Sequence, residues 1–150
     1  YVNERKERLA KIEENAKRMT ADNVEVQLWD ATETDEQLIE KADVVLMDVP
    51  CSGLGVMGKK RDIKYHVTSE SMESLVLLQK QIVENSWQYV KKGGTLLYST
   101  CTVHKGENEQ ISRWICDNYP FEMEEEKQFL PGVNETDGFY YARLRRNDGE

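Results

Sequence analysis

The sequence has no long apolar run, no Cys-x-x-Cys pair and no surplus of positive charge. The first absence excludes a membrane-spanning helix, and no segment reads as a charged-then-apolar secretory leader. The second, with three cysteines in 150 residues, argues against a disulfide framework and against a zinc knuckle. Reduced thiols in a cytoplasmic protein are expected, and no metal. The third, a net charge of −8, does not suggest a nucleic-acid partner, but does not exclude one if the charge is unevenly spread. Internal repeats and low-complexity linkers are missing too. What is present, 39% hydrophobic and 32% charged residues, fits one soluble globular domain or a piece of one, large enough for a core.

The charge is indeed uneven. Acidic residues gather at Glu122, Glu124, Glu125 and Glu126 and around Glu33, Asp35 and Glu36, whereas Lys59, Lys60, Arg61 and Lys64 form a basic cluster. That cluster is either an ordinary solvated loop or a local patch for phosphate.

Hydrophobic periodicity gives an α/β order. Leu9, Ile12, Ala16 and Met19 recur at helical spacing over residues 4–19, and an alternating strand spans 24–28. A short helix over 35–41, with Leu38 and Ile39 inward, leads to a buried strand at 43–47. Residues 52–67 read as a long loop. Thr68 or Ser69 caps a helix over 70–90 carrying Leu75, Leu78, Ile82, Val83 and Trp87, and Lys91-Lys92-Gly93-Gly94 is expected to stop it. A strand at 95–99, a helix over 106–118 with Ile111, Trp114 and Ile115 on one face, a weaker strand at 121–125 and a terminal strand at 138–144 complete the order. Tyr1-Val2-Asn3 reads as the tail of a further strand. A parallel sheet with an appended hairpin follows.

Two cysteines share one local setting. Cys51 follows the apolar run ending Asp48-Val49-Pro50, and Cys101 follows the run ending Tyr98-Ser99-Thr100. Ligands and chemistry collect at the carboxyl ends of strands in open α/β sheets, so two such thiols can face one pocket. A cysteine at a strand end is most often small core filler. Around Cys101, however, polar Ser99, Thr100 and Thr102 and a helix beginning just beyond favour a thiolate, which suits addition to an electron-poor carbon. In Asp48-Val49-Pro50-Cys51 the proline fixes the backbone and the aspartate supplies an acceptor. The position after the proline holds no aromatic ring, so stacking on a base is not its purpose. Cys116, beside Ile115 in mid-helix, reads as packing.

Asp48-Val49-Pro50-Cys51-Ser52-Gly53 together with Ser99-Thr100-Cys101-Thr102 resembles the RNA cytosine-5 methyltransferases of the Sun family. Asp62-Ile63-Lys64, Leu78-Gln79, Lys92-Gly93-Gly94-Thr95-Leu96, Glu107-Asn108-Glu109 and Asp137-Gly138-Phe139-Tyr140-Tyr141-Ala142 extend the likeness. With Leu130-Pro131-Gly132, the ending is most similar to bacterial enzymes acting on small-subunit ribosomal RNA.

The resemblance implies a Rossmann-like class I methyltransferase sheet, with residues 1–150 as the C-terminal portion of one catalytic domain. It implies S-adenosylmethionine as cofactor and RNA as partner. Cys101 would be the nucleophile on C6 of a cytosine, Cys51 would assist release, and Asp48 would line the pocket. The cofactor would be held by Asp30, Asp48, Pro50 and the ribose-binding acid Glu4, with Asn3 as the alternative to Glu4. Lys60, Arg61 and Lys64 would contact RNA. For Glu4 and Asp30 the competing reading is an ordinary surface or capping carboxylate. In the family the glycine-rich cofactor loop and the first strand precede the position of residue 1, and no glycine-rich turn here replaces them. The isolated 150 residues are therefore expected to bind S-adenosylmethionine weakly or not at all, and an unpaired sheet edge would be a template for dimerisation. A thiol redox module and a non-catalytic Rossmann-like scaffold remain as alternative functions.

Overall fold

A computed structural model describes residues 2–3, 5–60, 62–133 and 135–147, without the side chains of Val2, Asn3 and Lys64. Strand β1 (Val2–Asn3) pairs in parallel with β2 (Gln27–Leu28), so the expected strand tail is present, and the strand expected at 24–28 is limited to its last two of these residues. Helix α1 (Lys6–Arg18) joins them. Glu7 in its first turn and Lys17 and Arg18 in its last suit the helix dipole. Leu9 is its buried residue, whereas Met19, expected on the apolar face, is the C-cap and 71% exposed. The short helix expected at 35–41 is one 3-10 turn, Glu36–Leu38, capped by the Asp35 carboxylate, which accepts from the Gln37 amide.

The second sheet has the order β3-β4-β6-β5, formed by β3 (Ala42–Asp48), β4 (Val90–Thr100), β5 (Phe121–Phe129) and β6 (Phe139–Arg146). Strands β3 and β4 are parallel, and β6 runs antiparallel to both β4 and β5. The expected loop at 52–67 holds a 3-10 turn, Leu54–Val56, and the one-turn helix α2 (Ile63–His66). Helix α3 (Ser69–Ser86) starts at a capping box: the Thr68 hydroxyl accepts from the Ser71 amide, and the Ser71 hydroxyl accepts from the Thr68 amide. It passes into a 3-10 turn, Trp87–Tyr89. Helix α4 (Glu109–Asn118) follows turns over residues 105–108. No helix among the described residues is long and apolar enough to cross a membrane.

Three expectations need correction. Lys91-Lys92-Gly93-Gly94 does not stop α3; it forms a bulge within β4, where the partners of Ala42 and Val44 are Val90 and Thr95. Gly93 has φ +71°, and a Cβ on Gly94 would lie 2.9 Å from the Asp43 carbonyl, so both positions demand glycine. The weaker strand at 121–125 runs on to Phe129, because its glutamates pair across the hairpin: Glu124 accepts from Arg143 and Arg145 at 3.2 and 3.0 Å.

The third correction concerns β3. It is buried on one face, where Met47 joins the core, while Val44 and Leu46 on the other are 64% and 63% exposed. The core consists of Leu96, Tyr98, Tyr140, Ala142 and Leu144 of the sheet beneath Ile82 and Val83 of α3 and Ile111 and Ile115 of α4. Helices thus cover one face of this sheet. The opposite face is open around Leu46, Leu97, Phe139 and Tyr141. Cys116 packs against the core, as its place beside Ile115 suggests.

Candidate active site

Asp48 and Ser99 are register partners at the carboxyl ends of β3 and β4, and the Val49 amide donates to the Ser99 carbonyl at 3.2 Å. Both cysteine turns therefore leave the sheet side by side. The Cys51 and Cys101 sulphurs, fifty residues apart in sequence, lie 3.2 Å from each other. Asp48 stands at the rim, its carboxylate accepting from the Ser99 hydroxyl at 3.3 Å.

The two thiols are electrostatically unequal. Cys51 is the more deeply seated and is pushed up, by its hydrogen bond to Cys101 and by burial. Cys101 is lowered from 9.0 to about 7, chiefly because the Cys51 thiol donates to it. Burial and the nearby Asp48 carboxylate oppose that effect, and Lys60 supports it. In such a pair the sulphur that ionises more readily has the greater thiolate character, which is the reactive form of cysteine.

Backbone contacts clamp the turns. The Gly55 amide donates to the Cys101 carbonyl at 3.0 Å, and the Gly138 amide donates to the Gly55 carbonyl at 2.8 Å. A Cβ on Gly55 would sit 2.2 Å from the Gly138 oxygen and 2.8 Å from the Cys101 oxygen, so only glycine fits between them. The start of the β6 strand is thereby tied to both cysteine loops.

Beneath the thiols lies a polar network that includes residues of the Leu78-Gln79 and Glu107-Asn108-Glu109 strings. The Glu107 carboxylate accepts from the Ser52 amide at 2.9 Å, the Ser52 hydroxyl at 2.6 Å, the Gln79 amide at 3.0 Å and the His104 ring at 3.2 Å. Gln79 also donates to the Pro50 carbonyl at 2.9 Å. Asn108 accepts from the Thr100 hydroxyl and donates to the Thr102 carbonyl and to Gln128. Burial of Glu107, Asn108 and Gln79 is not legible locally: each reads as an exposed helix or cap residue, and partners in other segments turn them inward, Ser52 and Gln79 for Glu107 and Thr100, Thr102 and Gln128 for Asn108.

Of the other expected site residues, Lys60 is exposed beside the thiols, while neighbouring Lys59 is engaged with Asp137 at 2.6 Å. Asp30 stands just past the end of β2, exposed, its carboxylate held below the usual range by the hydroxyl and amide of Thr32. Asn3 ends β1, and Lys64 lies in α2 with its side chain undescribed. Glu4 and Arg61 lie outside the described residues.

Known proteins are similar to this chain in sequence and in fold. The family described as 16S rRNA methyltransferase RsmB/F matches residues 1–145. Ribosomal RNA small subunit methyltransferase B of Pasteurella multocida is 40% identical over 93% of this chain and 35% of its own length. Ribosomal RNA small subunit methyltransferase F of Escherichia coli O157:H7 is 31% identical over 93% of this chain and 33% of its own. The crystal structure of NSun6 from Pyrococcus horikoshii with SFG superposes with a TM-score of 0.83 at 27% identity, covering 99% of this chain and 41% of that one. The chain thus spans about a third of the length of the curated relatives it matches. With a Rossmann-like sheet, two apposed strand-end thiols and a match over nearly all its residues, the chain belongs to the 16S rRNA methyltransferase RsmB/F family.

Proposed function

We propose that this chain carries the cysteine-bearing part of an enzyme that methylates C5 of a cytosine in small-subunit ribosomal RNA through a covalent cysteine adduct. The observation that supports it best is the 3.2 Å approach of the two sulphurs, which lowers Cys101 to about 7. The target base is unstacked into the site, since its reacting carbons are shielded within a helix. The Cys101 thiolate adds to C6, and the displaced electron pair makes C5 nucleophilic. After C5 is alkylated, loss of its proton to a base returns the electrons to the ring and expels Cys101 as thiolate. Cys51, protonated beside the leaving sulphur, stabilises it by hydrogen bonding and so assists release.

S-adenosylmethionine is the cofactor in this reading, and when bound it supplies the methyl group. The donor set fits it. Asp30, just past β2, and Asp48, the last residue of β3, are exposed carboxylates suited to amine and hydroxyl donors and to a sulfonium charge. The Pro50 carbonyl accepts from Gln79, which holds the turn that carries Pro50 beside the site. Asn3, which ends β1, or Glu4, which lies outside the described residues, would complete the set. Lys60, Arg61 and Lys64 supply phosphate contacts to the RNA. The 150 residues alone are proposed to be inactive.

The test uses the complete protein, S-adenosylmethionine and RNA carrying 5-fluorocytosine, whose fluorine blocks the final elimination and traps the adduct. Wild type and Cys51→Ser are expected to trap RNA, and Cys101→Ser is not. Trapping through Cys51 overturns the assignment of roles; no trapping at all points to a redox pair or an inert scaffold.

A further inference from the structure

Glu107 is fully buried, and among the described residues neither Lys nor Arg faces it. A buried carboxylate with no permanently charged cation beside it costs several kcal/mol unless hydrogen bonds replace its hydration. Here four donors do so, from three separate segments: the Cys51 turn through Ser52, helix α3 through Gln79, and the Cys101 turn through His104.

The polarity of the network is fixed. Each hydroxyl has one proton. The Ser52 hydroxyl donates to Glu107 at 2.6 Å, so toward Thr102, 2.8 Å away, its oxygen accepts and Thr102 donates. The Thr102 oxygen in turn accepts from the His104 amide at 3.2 Å. Ser52 adjoins Cys51 and Thr102 adjoins Cys101. One carboxylate thus anchors a chain of hydrogen bonds that staples the two cysteine turns together.

We propose that Glu107 is a positioning residue that fixes the Cys51 and Cys101 turns to one another and so sets the close approach of their sulphurs. It touches neither substrate nor thiol; it acts through Ser52, Thr102, Gln79 and the Pro50 carbonyl. The proposal rests on the reading of Cys101 as nucleophile, and deepens it by naming what makes the pair. Glutamine at this place keeps the shape but has one acceptor oxygen and no charge. With that oxygen set against the Ser52 and Gln79 amides, its NH2 meets the Ser52 hydroxyl and the His104 ring, so the hydroxyl chain to Thr102 must reverse and the charge-assisted staple is lost.

Three measurements on the complete protein decide this: thermal melting, the pH profile of iodoacetamide alkylation read at the Cys101 peptide, and the rate of adduct formation with 5-fluorocytosine RNA. For Glu107→Gln, the alkylation midpoint is expected to rise from about 7 toward the ordinary thiol value. Trapping is expected to slow on the order of tenfold or more, the scale of a sub-ångström misplacement of a reacting group. A lowered melting temperature with an unchanged midpoint and trapping rate means that Glu107 only stabilises the fold, and overturns the proposal. If Glu107→Gln does not fold, Ser52→Ala decides. It cuts the hydroxyl link to Thr102 while its amide still reaches Glu107, and an unmoved midpoint there refutes the staple. Alkylation needs neither RNA nor cofactor, so the outcomes separate. A shifted midpoint without trapping by wild type sinks the proposed reaction but not the positioning role; trapping by wild type with unmoved variants sinks the positioning role alone.

Discussion

Replacing Cys51 with alanine removes the donor that faces the Cys101 sulphur at 3.2 Å and leaves the rest of the Cys101 turn in place. With that donor, Cys101 titrates at about 7 instead of 9.0. At pH 7 about half of the sulphur is then thiolate, against roughly one part in a hundred without it, an approximately fiftyfold difference. The more basic thiolate is also the stronger nucleophile. With a Brønsted slope of about 0.4–0.5, the hundredfold gain in basicity returns a factor of roughly 6–10. Alkylation of Cys101 by iodoacetamide should therefore be about five- to eightfold slower in Cys51→Ala than in wild type at pH 7, and faster at high pH, the two profiles crossing near pH ~8. Burial and the Asp48 carboxylate push the thiol further up once the donor is gone, so the crossing can only move to higher pH. Mass spectrometry of the Cys101 peptide across the neutral and alkaline range gives both curves. Superimposable profiles would refute the claim that the second thiol sets the acidity of the first.

Two further perturbations probe the frame and the rim. Gly55→Ala forces a methyl group into the gap between the Gly138 and Cys101 carbonyls, and a loss of roughly 1–3 kcal/mol or more is expected in denaturant unfolding, together with slower trapping of 5-fluorocytosine RNA. Stability within error of wild type would show that this crossing of chains is looser than drawn. Lys60→Ala removes one cation beside the thiols; it should flatten the salt dependence of RNA binding by about 0.7–0.9 in the log–log slope and raise the Cys101 midpoint slightly. An unchanged slope would place the RNA elsewhere.

Much of the frame was legible because local chemistry and tertiary environment agree. Helices α3 and α4 carry their apolar stripes where helical spacing puts them, and the two thiols were placed together by a rule about strand ends alone. The misreadings arise where one local string serves two structures. Lys91-Lys92-Gly93-Gly94 has the cations and glycines of a helix stop, yet the same glycines permit a bulge, and only the partner strand β3 decides. The glutamates of β5 argue against a strand until Arg143 and Arg145 oppose them. Val44 and Leu46 look like core because a run of apolar residues carries no mark of which face a helix will cover. Glu107 is the extreme case: nothing in its neighbourhood announces burial, since three of its four donors come from Ser52 and Gln79, far off in sequence.

The span of fifty residues between the two sulphurs has a consequence for how the site comes into being. Bringing the ends of such a segment together costs about 3.5 kcal/mol in chain entropy, and no short-range contact offsets it. The pair forms only when the β3–α3–β4 crossover has closed in its parallel register. In an unfolded or half-folded chain Cys101 is an ordinary thiol. Its reactivity at neutral pH is therefore a clock for closure of this crossover, readable in a refolding experiment by timing the moment at which the thiol becomes acidic.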